Sequence, residues 1–283
     1  MIPVLLALLL AASPGPPVGE AAREGAVAPV KESALVLVPE GAPPTAQAVI
    51  DAYAALVPKS AALEIVAAGE RGDAASVWAL RVPRVGRIDA RAIAVPVPAE
   101  AISEGARRSL ASLLSDAPIA PHAAQLVLEL TPDAEVPPAR ALDAFTTVAA
   151  AAARASDAAA IMLPRARVTH PADFVINAVR ERSALSIIWV GLELSGTTDD
   201  VVLTSVGLTR VGRSELQLGA PRRRIGQAIV MFHELVAEVL RRDADVPDDG
   251  TLGREAAEKL PVRLVPGADG RTVMRVDFDA LSH

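Results

Sequence analysis

The order of apolar segments constrains this chain more than any single motif does. "ALVLV" (34–38) is a short apolar strand. The segment after it sets Thr45 as an N-cap and repeats Val49, Ile50, Tyr53, Leu56 and Val57 on one helical face. Residues 61–68, 75–82 and 90–97 read as three further strands, with Pro96 and Pro98 marking an edge or a strand end. A short helix, 103–116, closes this passage. A second passage sets out a strand (123–130), a helix (137–155), a strand (158–163) and an extra helical stretch (170–182). Strands at 185–194 and 201–211 follow, then a long helix from Pro221 to Arg242. The chain finishes on a hairpin, "VRLVP" and "TVMRVDF", turned at 267–270 by Gly-Ala-Asp-Gly, where Asp269-Gly270 suits positive φ.

Side by side, the two passages share the order strand, helix, strand, strand, strand, helix. Trp78 and Trp189, the two tryptophans of the chain, fall on the corresponding third strands. Duplication, giving pseudo-repeats 34–116 and 123–242, and coincidence in an ordinary chain both account for this. Either way the pattern predicts an α+β fold over 34–283: a mixed sheet with packed helices, in two βαβββα-like halves plus a C-terminal hairpin. Hydrophobic residues make up 51% of the chain and aromatic residues 2%, so the core has to be built from Val, Leu, Ile and Ala.

Charge and residue usage exclude several functions. The net charge of −6 is spread along the chain, and stacking aromatics are scarce, so nucleic acid is not an expected partner. The chain has no cysteine, which removes disulfides, thiol nucleophiles and Cys-ligated zinc. The apolar run from Ile2 to Ala12 is too short to span a bilayer. It precedes a small, Pro-rich stretch, with small residues Gly19 and Ala21 flanking Glu20. This is the layout of a secretory leader, residues 1–21, cleaved after Ala21 and followed by a flexible lead-in, 22–33. It departs from that layout in lacking Lys or Arg before the apolar run; a buried N-terminal strand or a wrongly called start codon is the alternative.

"FHELVAEVL" (232–240) raises the question of a metal-hydrolase helix. Such a helix needs His-Glu-x-x-His, so that two imidazoles one turn apart reach one ion. Here the fifth position is Ala237. Ile225, Ile229, Phe232, Val236 and Val239 form a buried stripe instead, and His233 at its border reads as a half-buried histidine satisfied by a hydrogen bond. Upstream, Arg222, Arg223 and Arg224 crowd the positive end of the helix dipole, either as an anion site or as a solvated turn paired with acids. The acids of 241–253 fit no calcium-loop register and read as a solvated turn, with Gly250 and Gly253 supplying unusual φ. No nucleophile elbow and no phosphate-cradling glycine loop is present. His122 and His170 each neighbour a proline and open an element, as acid–base groups or as boundary residues. Glu215 beside Leu216 faces outward, or, if inward, needs a partner such as Arg210 or Arg213.

"TSVGLTRVGRSELQL", an amphipathic helix, "DDGTLG" and a terminal hairpin, in that order, resemble an uncharacterised bacterial family, domain of unknown function 4261. The matching residues are Gly207, Leu208, Gly212, Glu215, Leu216, Asp249, Gly250, Thr251, Leu252 and Gly253. The Asp-Gly-Thr run lacks the intervening residue of the family's turn. "HAAQLVLEL" and "AAIMLPRARVTHPADF" resemble its middle part, so the similarity covers most of 34–278. It implies an α+β scaffold and no known activity.

The expected function is that of a non-catalytic exported protein, periplasmic or extracellular, which binds a protein or peptide partner. It needs no cofactor and no metal, and has no stable membrane span once the leader is cleaved. Two alternatives stand beside it. One is a hydrolase or anion-binding enzyme using Glu215, His233 and the arginines 222–224. The other is a cytoplasmic accessory or immunity-like protein.

Overall fold

The computed structural model describes residues 31–39, 43–58, 62–71, 75–114, 119–182, 186–242, 244–254, 258–267 and 270–278. The leader, most of the lead-in and Asp269 of the hairpin turn lie outside the described residues. Helices and strands are both abundant, and the fold is α+β, as the segment order predicts.

Seven strands form the first sheet: β1 (Glu32–Val38), β2 (Glu64–Arg71), β3 (Ala75–Val82), β4 (Gly86–Ile93), β5 (Ala124–Pro132), β6 (Ala160–Leu163) and β7 (Val168–Pro171). Their order is β2-β3-β4-β5-β1-β6-β7, and every neighbouring pair is antiparallel. Helix α1 (Ala46–Leu56) follows β1, with the Thr45 side chain accepting from the Ala48 N–H as the predicted cap. The short helices α2 (Ala99–Arg107) and α3 (Leu110–Leu114) lead to β5. Helix α4 (Pro138–Ala155) packs against α1 and over β1, β5 and β6.

The connectivity explains the repeated segment order. From β1 the chain passes through α1 and returns to place β4 on the far side of β5. From β5 it passes through α4 and places β6 on the far side of β1. The second crossover skips one strand, β1, and is a split β-α-β motif, whereas the first reaches the edge strand β2 and returns through β3 and β4, so the two interlock through the central β1–β5 pair. The strand pair β2–β3 and strand β7 extend it at its two ends. The first passage and the opening part of the second are therefore threaded through one sheet. Trp189 does not match Trp78: Trp78 lies on β3 and donates from its indole to the Pro44 carbonyl, whereas Trp189 ends a helical turn.

The second layer begins with α5 (Ala172–Arg180), which packs back on α4, and α6 (Ser186–Trp189). It continues through β8 (Gly191–Gly196), β9 (Asp200–Val206) and β10 (Glu215–Pro221) to α7 (Ile225–Arg241). It closes with the short pair β11 (Thr251–Leu252) and β12 (Leu260–Pro261), then β13 (Arg263–Pro266) and β14 (Thr272–Asp277). The predicted strand 185–194 is corrected here: its first part, Ser-Ile-Ile-Trp, is the helical turn α6, buried throughout. The second sheet runs β13-β14-β10-β9-β8 and is mixed, because β14 pairs parallel to β10 while the other pairs are antiparallel. Leu216, Leu218 and Ala220 alternate inward along β10, and α7 lies across β9 and β10. Gly250 and Gly253 do not supply unusual φ; Asp249 does, at +58°. The glycines are required for space, since a Cβ on Gly253 would stand 2.0 Å from the Glu258 carbonyl oxygen. Among the described residues no helix is long and apolar enough to cross a membrane.

Candidate functional site

Ionisable groups converge at the seam where the second layer meets the first sheet. His170, on β7, is fully buried. Its Nε2 lies 3.0 Å from the Ile188 carbonyl oxygen on α6, and its Nδ1 lies 2.7 Å from Ser109 Oγ, in the turn between α2 and α3. A carbonyl only accepts, so the neutral ring carries its hydrogen on Nε2, and the Ser109 hydroxyl donates to Nδ1. Ser109 Oγ also accepts from the Ala111 N–H. Burial pushes the His170 pKa down to about 4, opposed by the bond to Ile188 and reinforced by the Arg210 charge.

Ser109 and His170 stand at the separation of a nucleophile and its base. The base, however, is oriented by a backbone carbonyl, and both side chains are inaccessible to solvent. This arrangement fastens α2, β7 and α6 together and leaves the hydroxyl no route to a substrate. The proline beside His170 marks an element boundary in the sequence, but nothing local announces Ser109, 61 residues away.

His233, on α7, corrects the expectation of a half-buried histidine with a hydrogen bond. It is buried, and neither ring nitrogen has a hydrogen-bond partner among the described residues. The reason is that α7 is covered twice, by its own sheet and by α6. Its ring meets Phe232 edge-on at 5.5 Å. Burial holds its pKa down at about 4, with the charge of the neighbouring His170 adding to the effect.

Arg210 lies in the 3₁₀ turn Leu208–Val211 after β9. Its Nη1 donates to Glu32 Oε2 at 2.9 Å and its Nη2 to the Trp189 carbonyl at 2.6 Å, so it ties β1 to the second layer. Glu32, placed in the flexible lead-in by sequence, is in fact the first residue of β1 and is buried.

Glu215 opens β10 and turns to neither Arg210 nor Arg213. Its carboxylate accepts from the Ser205 hydroxyl and from the N–H groups of Gly207, Leu208 and Thr209. It therefore caps the 3₁₀ turn, and this explains the spacing of Gly207, Leu208, Gly212 and Glu215: Gly207 (φ +115°) and Gly212 (φ +73°) bend the loop that the carboxylate holds. Glu215→Ala leaves five donors, the Thr209 hydroxyl included, without their acceptor. It is expected to cost about 2–3 kcal/mol, seen as a lower urea midpoint with an unchanged m value. A stable Glu215→Ala protein would remove the capping role.

Arg222, Arg223 and Arg224 form a 3₁₀ turn before α7, not its first turn. The Arg222 N–H donates to the Asp199 carbonyl and its Nε to the Thr197 carbonyl, while the Arg224 guanidinium lies 5.5 Å from the Phe278 ring centroid. Glu215 and this turn sit at opposite ends of the seven-residue β10, about 20 Å apart. Glu215, His233 and the arginines thus do not converge on one cavity. Among the described residues no group of three or more His, Asp or Glu side chains is placed to hold a metal ion.

A second feature lies on the first sheet. Trp78, Leu80, Ile88, Ala90, Leu128 and Leu130 sit within the core on the side of α1 and α4. The opposite face of β2–β5 carries Glu64, Arg81, Arg87 and Thr131 in one cross-strand row, with Asp89 opposite Glu129 in the next. Arg81 pairs with Asp133 and Arg87 with Asp89, all four well exposed. Strand β2 forms the sheet edge, and at its bulge Ile65 and Val66 are 45% and 49% exposed. Neither family models, characterised proteins nor solved structures yield a match to this chain.

Proposed function

We propose that this chain is an exported, non-catalytic binding protein that takes an extended segment of a polypeptide partner along the outer edge of β2. One observation carries the reading. The edge strand presents two adjacent exposed aliphatic side chains, Ile65 and Val66, at a bulge, next to the mixed-charge rows of β2–β5. An added strand would satisfy the outward N–H and C=O groups of β2, with the aliphatic pair and the charged rows selecting its side chains. An edge of this kind is otherwise a liability for aggregation, which a bulge at Ile65 only partly relieves. The absence of a catalytic role is supported by the burial of Ser109 and His170 and by the separation of Glu215 from the arginines. Export is supported by the apolar run Ile2–Ala12 and the small residues around Glu20.

Site-specific photo-crosslinking in cells tests the interface. A crosslinker at position 66 is expected to give a discrete adduct that Ile65→Lys abolishes, while one at exposed Gln227 on α7 gives none. Equal labelling at both positions would remove β2 as the binding edge. The mature N-terminus decides the compartment: a chain starting after Ala21 is expected, and an intact Met1 places the protein inside the cell.

A further inference from the structure

The polar seam also has a property that binding at β2 does not call on. His170 belongs to the first sheet and His233 to the helix of the second. The Ile188 carbonyl, which accepts from His170, lies on α6, and α6 packs directly on α7. The two imidazoles thus lie on the elements packed either side of α6, both excluded from solvent.

Their surroundings favour the neutral rings. Among the described residues no carboxylate is hydrogen-bonded to either ring. The charge felt at His170 is that of Arg210, and the one felt at His233 is that of His170. Glu32, the acid at the seam, is already paired with Arg210. The other acids of α7 are committed elsewhere: Glu234 pairs with Arg254, and Glu238 with Arg241 and Arg242. His233 has no acceptor among the described residues for a second ring hydrogen. His170 would turn a new N–H toward Ser109, whose hydroxyl would lose the ring nitrogen it donates to.

We propose that His170 and His233 form an acid-responsive latch, which holds the two layers closed while both rings are neutral and releases the seam when both are protonated. The direction follows from burial: both rings titrate near 4 in the closed state and near the ordinary histidine value when exposed. Between those values the open state binds more protons than the closed state. The closed state is therefore fully favoured above about pH 6.5 and loses ground as pH falls toward 4.

Hydrogen exchange of the full chain, corrected for intrinsic rates, reads the opening directly. Protection of 105–111, 168–172, 186–193 and 228–236 is expected to fall with acid about as the second power of proton concentration, because two protons are taken up. His233→Leu and His170→Gln should each reduce that dependence to about the first power, and the double variant should nearly abolish it. The β3–β4 pair should stay protected over the same range. An unchanged power in both single variants, or wild-type protection that is flat between pH 6.5 and 4, would overturn the latch. Should a variant not fold at pH 7.5, imidazole C–H shifts of the wild-type protein decide instead: two rings silent above pH 5 support the latch, and titration of His170 or His233 near 6.5 ends it.

Discussion

Arg210→Ala is expected to lower stability by about 3–5 kcal/mol, more than the loss of any surface charge in this protein. The guanidinium and the Glu32 carboxylate are 3% and 1% exposed, and they meet at 2.9 Å. Removing the cation leaves a carboxylate sealed between β1 and the second layer, with the Ser33 N–H as its one remaining donor among the described residues. It also strips the Trp189 carbonyl of its donor. The pair itself is a weaker source of stability than that number suggests, because burying two charges offsets most of their attraction. Burial is the foremost influence on the Arg210 pKa and pulls it down. The double variant Glu32→Leu/Arg210→Met should therefore regain most of what either single variant loses. Urea unfolding of the four proteins completes a double-mutant cycle. A coupling below about 1 kcal/mol would show that the two side chains act independently.

Phe145→Ala should fall at the upper end of the about 3–5 kcal/mol range for such truncations. The reason is the neighbourhood. Phe145 is fully buried on α4, a helix whose buried positions also include Ala141 and Ala149–Ala153. Alanine has no rotamer with which to lean into a void, so the space left by the ring persists. A persistent apolar void binds benzene or xenon, which gives a readout that general loosening does not. Loss of less than about 2 kcal/mol, or failure to bind either probe, would mean that the helix collapses onto the gap.

Much of the fold was legible because its elements are long and periodic. The stripe Ile229, Phe232, Val236, Val239 placed α7, and the Thr45 cap placed α1. Short apolar runs are ambiguous. "SIIW" has no period to separate a strand from a helical turn. The run 90–97 reads as a strand, yet β4 ends at Ile93, before prolines that lack an N–H for the ladder. The candidate site was less legible, for a different reason. Glu32 and Arg210 are 178 residues apart, and the Ser109–His170 contact spans 61. No local pattern carries such pairings. Glu215 illustrates the converse: its motif was visible, but the visible spacing encodes a loop capped by a carboxylate.

Interlocking the two β-α-β units has a cost during synthesis. Strand β1 has β5 on one side and β6 on the other, both encoded far downstream. A nascent chain that has emerged only as far as β4 can close its meander, but its first strand has no mate. The ribosome must deliver β5 before β1 can pair at all and the second crossover before β6 covers its other edge, and until then an aliphatic strand stands open to chaperones.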